Sequence, residues 1–520
     1  MMGVNNNMLG DNFLKFVFFT FPFLLISGPF LPDLFVVFIS VYFVVYFFVF
    51  KNFLLFKKNL IFFFLIFYLY INISSYFAYL PSVSFQTSIP YIRFILFAVF
   101  TAYLLKNILN LKKIIFYSFL ISYFLLFVDA IIQISTGQDI LGYPIVNSRV
   151  ASLFRDKLIM GSYVARTLPI LIAISYLENL KHGNFIRTFS IILVGILVYF
   201  SAERVSSFFY IMTVVVYLFL LPNKKQVFFY IGLAAFTFLI LIFSKPSSLE
   251  RLYKHTSSQV SGANQFLFSE RHEMHFLTAY RMFLDRKFIG HGIKAFRNLC
   301  DDPRYTVKEI IINNNKKFSP IDGYVYFLNP DITNSPARVF IVQKSQKIEF
   351  EEEFKIYDEI NYKDDHYLKQ TKRFHFFIIN NAIVNFNVYN KMFNQKKSGS
   401  SIKKGDYIYS NSDISNGCNT HPHSSHLQIL SELGLIGYLF LFCFLVYLSF
   451  LFMRHAISIV FKKKITPENE SLYCVFVVLG IVQSLFPVIP SANIFNNWIS
   501  CLLYFKIAFL FHYLYFYKKL

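Results

Sequence analysis

Three histidines, His421, His423 and His426, fall close together in the stretch HPHSSHLQILSELGLIGY, His421–Tyr438. Imidazole has both proton states within reach at neutral pH, so general acid–base chemistry is expected here. Ser425 followed by Gln428 has the spacing of a capping box, which makes Ser425 the expected N-cap of a helix that runs on into an apolar stretch. His423 would then stand just before the helix N-terminus, whose positive dipole end disfavours imidazolium. A ring held neutral there can accept a proton. Glu432 falls about two turns into the same helix; an ionisable group inside a span is a functional candidate by default. An arginine of the opposing polar surface is its expected partner.

A second chemistry is available from arginine. Arg93, Arg149, Arg155, Arg166 and Arg204 lie in short loops and at the ends of apolar runs. The guanidinium fork binds phosphate oxygens with two parallel hydrogen bonds, so such a cluster near a membrane surface suits a lipid pyrophosphate.

The elements that hold these residues are membrane helices. Of 520 residues, 56% are hydrophobic and 20% aromatic, and repeated apolar runs of about twenty residues exclude a soluble domain. The first run begins near Phe13 behind a single lysine, Lys15, and reads as an uncleaved span. About twelve spans are expected, at roughly 13–31, 33–50, 59–79, 91–106, 114–135, 162–178, 187–202, 205–222, 226–244, 427–453, 470–490 and 494–516. This divides the chain into spans over 1–244, a loop over 245–426 and spans over 427–520. Net charge is +21. Nucleic-acid binding is a poor account of it, because most basic residues flank spans. Lys51, Lys57, Lys58, Lys106, Lys112, Lys113, Lys181, Arg187, Lys224, Lys225, Lys462–Lys464, Lys518 and Lys519 all fall on one side. The positive-inside rule makes that side cytoplasmic, with both termini inside and the long loop outside. The arginine cluster then works against the rule, which calls for another explanation.

The His421–Tyr438 stretch resembles the signature of the O-antigen ligase and O-antigen polymerase superfamily. That signature is His, then Asn, Ser or Gln, then nine residues, then Gly-x-x-Gly followed by Gly, Thr or Tyr. Here His423 and Ser424 are followed by Gly434, Gly437 and Tyr438 at the matching spacing. GQDILGYPIVNSRVASLFRDKLIMGSYV from Gly137 is similar to the family's outer loop, and SAERVSS, Ser201–Ser207, to its short arginine-bearing turn. RHEMHFLTAYRMFLDRKFIGHGIKAF, Arg271–Phe296, resembles its loop helix with a closing Gly-x-Gly. In that helix Arg271, His275 and Arg281 stand out, while Met274, Leu277, Met282 and Phe283 are expected to pack it onto the protein.

The resemblance implies an all-α polytopic, GT-C-like fold and a metal-independent, inverting glycosyltransferase without a cofactor. Its donor would be a glycan on undecaprenyl pyrophosphate, at the outer, periplasmic face of a bacterial inner membrane. His423 would be the catalytic base. Arg204, Arg271, Arg149, Arg155 and Arg166 would hold the donor pyrophosphate, with His421, His426, Glu432, Gly434, Gly437, Tyr438 and Arg281 in support. A ligase passes the glycan to a sugar hydroxyl of lipid A-core, and a polymerase passes it to another lipid-linked repeat unit. A transporter of lipid-linked glycan is the alternative of a different class; it should carry repeated halves and broken helices around a midplane site, and no repeat is evident.

Within the loop, a helical part over 262–299 is expected, then a polar insertion over 301–417 where the family is usually far shorter. Tyr324–Leu328, Arg338–Val342, Lys347–Tyr357 and Phe374–Tyr389 read as strands, which makes the insertion a β-rich appendage. Cys443, Cys474 and Cys501 fall in spans and read as core residues. Cys300 and Cys418 bracket the insertion on the side where thiols oxidise, and a disulfide between them is expected. No Cys/His spacing resembles a zinc site. Lys506, mid-span in the last helix, is expected to snorkel.

Overall fold

An apolar run surrounded by lipid has no water to satisfy its backbone, so it must close its own hydrogen bonds as helix. The computed structural model describes residues 10–50, 58–178, 180, 182–221, 224–260, 270–300, 305, short strand segments between 310 and 410, 418–461, 469–487 and 493–517. It is predominantly helical. Among the described residues, eight helices are long and apolar enough to cross a membrane: Phe30–Val49, Asn59–Tyr76, Pro81–Asn107, Leu111–Thr136, Met160–Leu177, Gly183–Ser201, Ser425–Phe461 and Asn497–Phe516. Arg204–Leu220 and Asn469–Ser484 are apolar but shorter. Further helices cover Asp11–Ile26 and Lys224–Ser244. Phe48, Phe62, Phe219 and Phe450 lie exposed on these helices, as lipid-facing side chains do. The chain is a helical membrane protein.

The chain forms two units. One comprises Met1–Ile73, Phe85–Ser258 and Leu439–Leu520, the other Ser74–Ser84 and Gln259–Tyr438. Hydrogen bonds account for where the two units meet in the chain. Tyr199 donates its hydroxyl to Lys245 O, and Arg251 reaches Asn147 O, so most of the Pro246–Val260 helix belongs to the first unit. In the second, Tyr79 N donates to His291 O, Ser74 Oγ to Ile289 O, and Arg286 to Phe77 O, which draws 74–84 into the loop.

Two charges inside the first unit are scaffold. Arg93 pairs with Asp33 at 2.8 Å and lies over the Phe94 ring. Lys506 does not snorkel. It is fully buried and donates to Gly480 O and Ser484 Oγ, both at 2.8 Å. Those acceptors belong to the last turns of the Asn469–Ser484 helix, whose negative dipole end favours a cation.

In the loop unit the helices run Glu270–Asp285 and Phe296–Leu299, and 261–269 lie outside the described residues. Within 301–417, Gly323–Leu328, Ala337–Gln343 and Ile408–Ser410 form an antiparallel three-stranded ladder with Gly323 opposite Gln343 and Ala337 opposite Ser410. Phe376–Ile379 pairs with Ala382–Asn385, and Ile310–Ile312 with Lys316–Phe318. Lys347–Tyr357 and most of the insertion lie outside the described residues, as do Lys51, Lys57, Lys181, Lys462–Lys464, Lys518 and Lys519.

Candidate functional site

In the loop unit the site is built on a broken helix. Gly434 has φ +66 and ψ −167, which interrupts the Ser425–Phe461 helix. The freed backbone groups are taken up by residues 287–292. His291 N donates to Ser431 O at 3.1 Å and Gly292 N to Glu432 O at 2.7 Å; Leu435 N donates to Lys287 O at 2.7 Å and Ile436 N to Phe288 O at 3.2 Å. The two backbones approach so closely that only glycine fits. A Cβ on Gly434 would lie 2.3 Å from Phe288 O, and one on Gly290 would lie 2.5 Å from Glu432 O. Glycine is also the residue that takes a positive φ without steric cost. The first glycine of the Gly-x-x-Gly pattern therefore locks against the first of the loop's Gly-x-Gly.

Glu432 is part of this lock. Its carboxylate is buried and accepts from Phe296 N at 3.3 Å and from Gln428 Nε2 at 3.1 Å. Its hydrogen-bond partners are the loop backbone and a glutamine of the same helix, and Arg297 of the loop acts on it electrostatically. Gln428 turns forward to Glu432 instead of back, so no capping box forms. The N-cap is Ser424, one residue earlier than the spacing suggested; its hydroxyl accepts from Leu427 N at 3.3 Å.

His423 directly precedes that cap with φ +55, a left-handed conformation that non-glycine residues hold only where their surroundings enforce it. Three imidazoles surround it. The ring centroids of His421, His272 and His275 lie 4.2, 5.1 and 5.3 Å from that of His423. His272 and His275 come from the Glu270–Asp285 helix, where the spacing of three puts them on one face. Among the described residues, no group of three or more His, Cys, Asp or Glu is arranged to hold a metal ion.

The hydrogen bonds fix which nitrogen of His423 is basic. Asn419 Oδ1 accepts from Thr420 N at 2.7 Å, which sets the orientation of the Asn419 amide. Its Nδ2 then donates to His423 Nε2 at 3.1 Å. Nε2 carries the lone pair, and the neutral ring has its proton on Nδ1. Asn419 is held in turn by its neighbour. Cys418 is joined to Cys300 with the Cα atoms 4.9 Å apart, and Cys300 sits in a core of Ala279, Met282, Ala295, Phe296, Leu299 and Tyr305. His426 stands apart from the cluster; its Nδ1 lies 3.2 Å from Tyr438 Oη.

In the Glu270–Asp285 helix, Met274 and Met282 are buried as expected, but Leu277 is exposed. Arg281 is half-buried, and burial lowers its guanidinium from the ordinary value. The Arg271 side chain lies outside the described residues.

The first unit gathers cations at the end of the Gly183–Ser201 helix. Arg149 donates to Leu158 O at 2.6 Å and Ser201 O at 3.3 Å, and its NH2 group lies 3.5 Å from Glu203 Oε1. Burial, then the neighbouring Arg251 and Arg204, lower the Arg149 guanidinium, while Glu203 acts in the opposite sense. Burial raises the Glu203 carboxyl against the pull of Arg149, Ser206 Oγ and the Gly161 amide. Lys245 donates to Ser148 O at 2.9 Å and Phe200 O at 3.0 Å, and burial lowers its ammonium to about 8. Arg149, Arg204, Lys245 and Arg251 gather with Glu203 at this end of the helix, an accumulation of positive charge that suits an anion.

Arg155 is exposed in a left-handed turn. Arg166 has a different task. It is buried, donates to Gln483 O at 3.2 Å and Ser162 Oγ at 3.3 Å, and lies over the Phe209 ring. Sequence reasoning passed over Asn419, His272, Lys245 and Arg251. The signals were faint: an asparagine just after a loop cysteine, a second histidine one turn before His275, and two basic residues flanking the start of an amphipathic helix.

A scan against protein-family models and a search of curated proteins find no match to this sequence.

Proposed function

We propose that this chain is a membrane glycosyltransferase of the O-antigen ligase type. It moves a glycan from undecaprenyl pyrophosphate to a sugar hydroxyl of lipid A-core, with His423 as the base. The observation that carries the reading is the His423 ring, whose Nε2 faces the Asn419 amide at 3.1 Å just before the start of a helix. An acceptor hydroxyl taking the place of the Asn419 amide would hand its proton to Nε2 as its oxygen attacks the anomeric carbon. The bond from that carbon to the pyrophosphate oxygen breaks with inversion. The charge that develops on the departing pyrophosphate needs fixed cations, the role the resemblance suggests for Arg204, Arg271, Arg149 and Arg155.

The full reading includes twelve spans, both termini in the cytoplasm, a β-rich insertion in a periplasmic loop and a bacterial inner membrane. A polymerase of the same superfamily would use the same chemistry with another lipid-linked repeat unit as acceptor. Surface glycan from a deletion strain, run on a gel, separates the two. Loss of all long-chain glycan from the core identifies a ligase; a single repeat left on the core identifies a polymerase. His423→Ala, present at normal levels, is expected to reproduce the deletion. Transfer near the wild-type level in that variant would remove His423 as the base.

A further inference from the structure

The first unit holds a second polar site, at the opposite end of the helix that leads to the cation cluster. A cavity of about 490 Å3 is lined by Ser175, Tyr176, Gly183, Asn184, Arg187 and Asn469, among others. Arg187 dominates it. The residue is 8% exposed, and its guanidinium lies 4.0 Å from the Tyr176 ring centroid. It donates to Ser175 O and Oγ, both at 3.4 Å, and to Asn184 Oδ1. These acceptors are neutral. Among the described residues no carboxylate lies within ion-pair distance of Arg187, and its Nε has no hydrogen-bond partner. Glu178, nearby in the chain, is engaged with Lys112 at 3.5 Å and Lys113 at 4.0 Å and does not line the cavity.

A buried charge without a counter-charge is costly, and a chain that keeps one beside an open cavity leaves room for the missing anion. The backbone adds to the same field. Gly183 and Asn184 open a helix of 19 residues that no side chain caps at His182, and Asn469 opens another. Both helices turn the positive ends of their dipoles to this end of the unit.

We propose that this cavity binds a phosphate group, carried either by a phospholipid headgroup or by a free phosphate. It is a different site from the Arg149 cluster. The Gly183–Ser201 helix separates them by about 28 Å at ~1.5 Å per residue. The guanidinium of Arg187 faces the phosphate oxygens from its stack on Tyr176, and the first turn of the helix supplies the neutral donors.

The test uses the full chain in two measurements. Native mass spectrometry in nanodiscs reads retention of phosphatidylglycerol against phosphatidylcholine, and titration with inorganic phosphate reads a shift in apparent Tm. Arg187→Gln removes the charge. Asn469→Asp places a carboxylate in the cavity wall at a helix start, where an acidic residue is well tolerated, and so serves if Arg187→Gln does not fold. Preferential retention of phosphatidylglycerol by the wild type, reduced at least tenfold in the variants, supports the site with the headgroup as its source. A phosphate-dependent shift that both variants lose supports it with free phosphate. Variants that bind as the wild type does, or a wild type that responds to neither probe, overturn the proposal.

Discussion

Replacing Gly434 with alanine tests whether the break in the Ser425–Phe461 helix is what holds the histidine segment in place. The new methyl would lie 2.3 Å from Phe288 O and 2.7 Å from Gly290 N. Both are backbone atoms, so no side-chain rotation relieves the clash. Holding alanine at φ +66 and ψ −167, a region essentially confined to glycine, costs about 1–3 kcal/mol. Separating the two segments also opens the hydrogen bonds of Ser431 O, Glu432 O, Leu435 N and Ile436 N, each worth about 1 kcal/mol. The expected loss is about 3–5 kcal/mol, at the upper end for a single substitution. The assay is apparent Tm of the purified protein in one detergent, read beside glycan transfer. Gly232→Ala is the control. A Cβ there meets nothing within 4 Å, and its place inside the Lys224–Ser244 helix predicts a gain of about 0.5–1 kcal/mol. Gly434→Ala is expected to melt several degrees lower and to lose transfer; Gly232→Ala is expected to do neither. If Gly434→Ala matched the wild type in both readouts, the interlock with residues 287–292 would not be what positions His423.

Asn419→Asp places a carboxylate against His423 Nε2, which favours imidazolium and raises the ring's pKa. Because the base must be neutral, the acidic limb of the transfer–pH profile should move to higher pH, with activity at pH 6 falling more than at pH 8; an unmoved limb would separate Asn419 from the base. Cys300→Ser and Cys418→Ser should each lower apparent Tm and transfer together, since the bridge closes a separation of 118 residues, worth up to ~5 kcal/mol in the chain-entropy model, and anchors Asn419. Full activity after reduction would count against that anchoring. Lys245 titrates near 8 in the folded protein, below its ordinary value, so the stability linked to it is complete above pH 10.5 and lost as pH falls through 8. Apparent Tm of the wild type relative to Lys245→Met should therefore climb between pH 8 and 10.5, and a flat difference would show that Lys245 is not desolvated.

The parts legible in the sequence were those set by long-range composition or by backbone geometry that one residue type supplies. Apolar runs gave helices because a membrane offers the backbone no other partner. Gly290 and Gly434 stood out as slots of the Gly-x-Gly and Gly-x-x-Gly patterns, although sequence could not say that each is the other's steric partner. Details that depend on which near neighbour wins a hydrogen bond were not legible. Ser424 and Ser425 are equally good caps on paper, and the choice fell to the serine whose hydroxyl reaches Leu427 N. Gln428 has the spacing to reach back to the cap, but the buried Glu432 carboxyl, one turn on, takes its amide. The Cys300–Cys418 bridge was legible, because these two cysteines bracket the insertion outside the spans; that it sets Asn419 beside His423 was not.

The arginines show why charge placement alone misassigns roles in a membrane protein. Arg166 and Lys506 both serve the last turn of the Asn469–Ser484 helix, through Gln483 O in one case and Gly480 O and Ser484 Oγ in the other. A helix that ends among other helices leaves carbonyls that water cannot reach, and a long cationic side chain satisfies them while opposing the negative end of the dipole. Such a residue is committed to the scaffold however close it lies to a polar surface. Arg149 is only partly committed: it bonds two carbonyls and Glu203 but shares its field with Arg204, Lys245 and Arg251. The local excess of positive charge, not the count of arginines, marks where an anion is to be sought. By that measure the Arg149 cluster qualifies through several cations gathered together, and Arg187 through a single cation with no carboxylate in reach among the described residues.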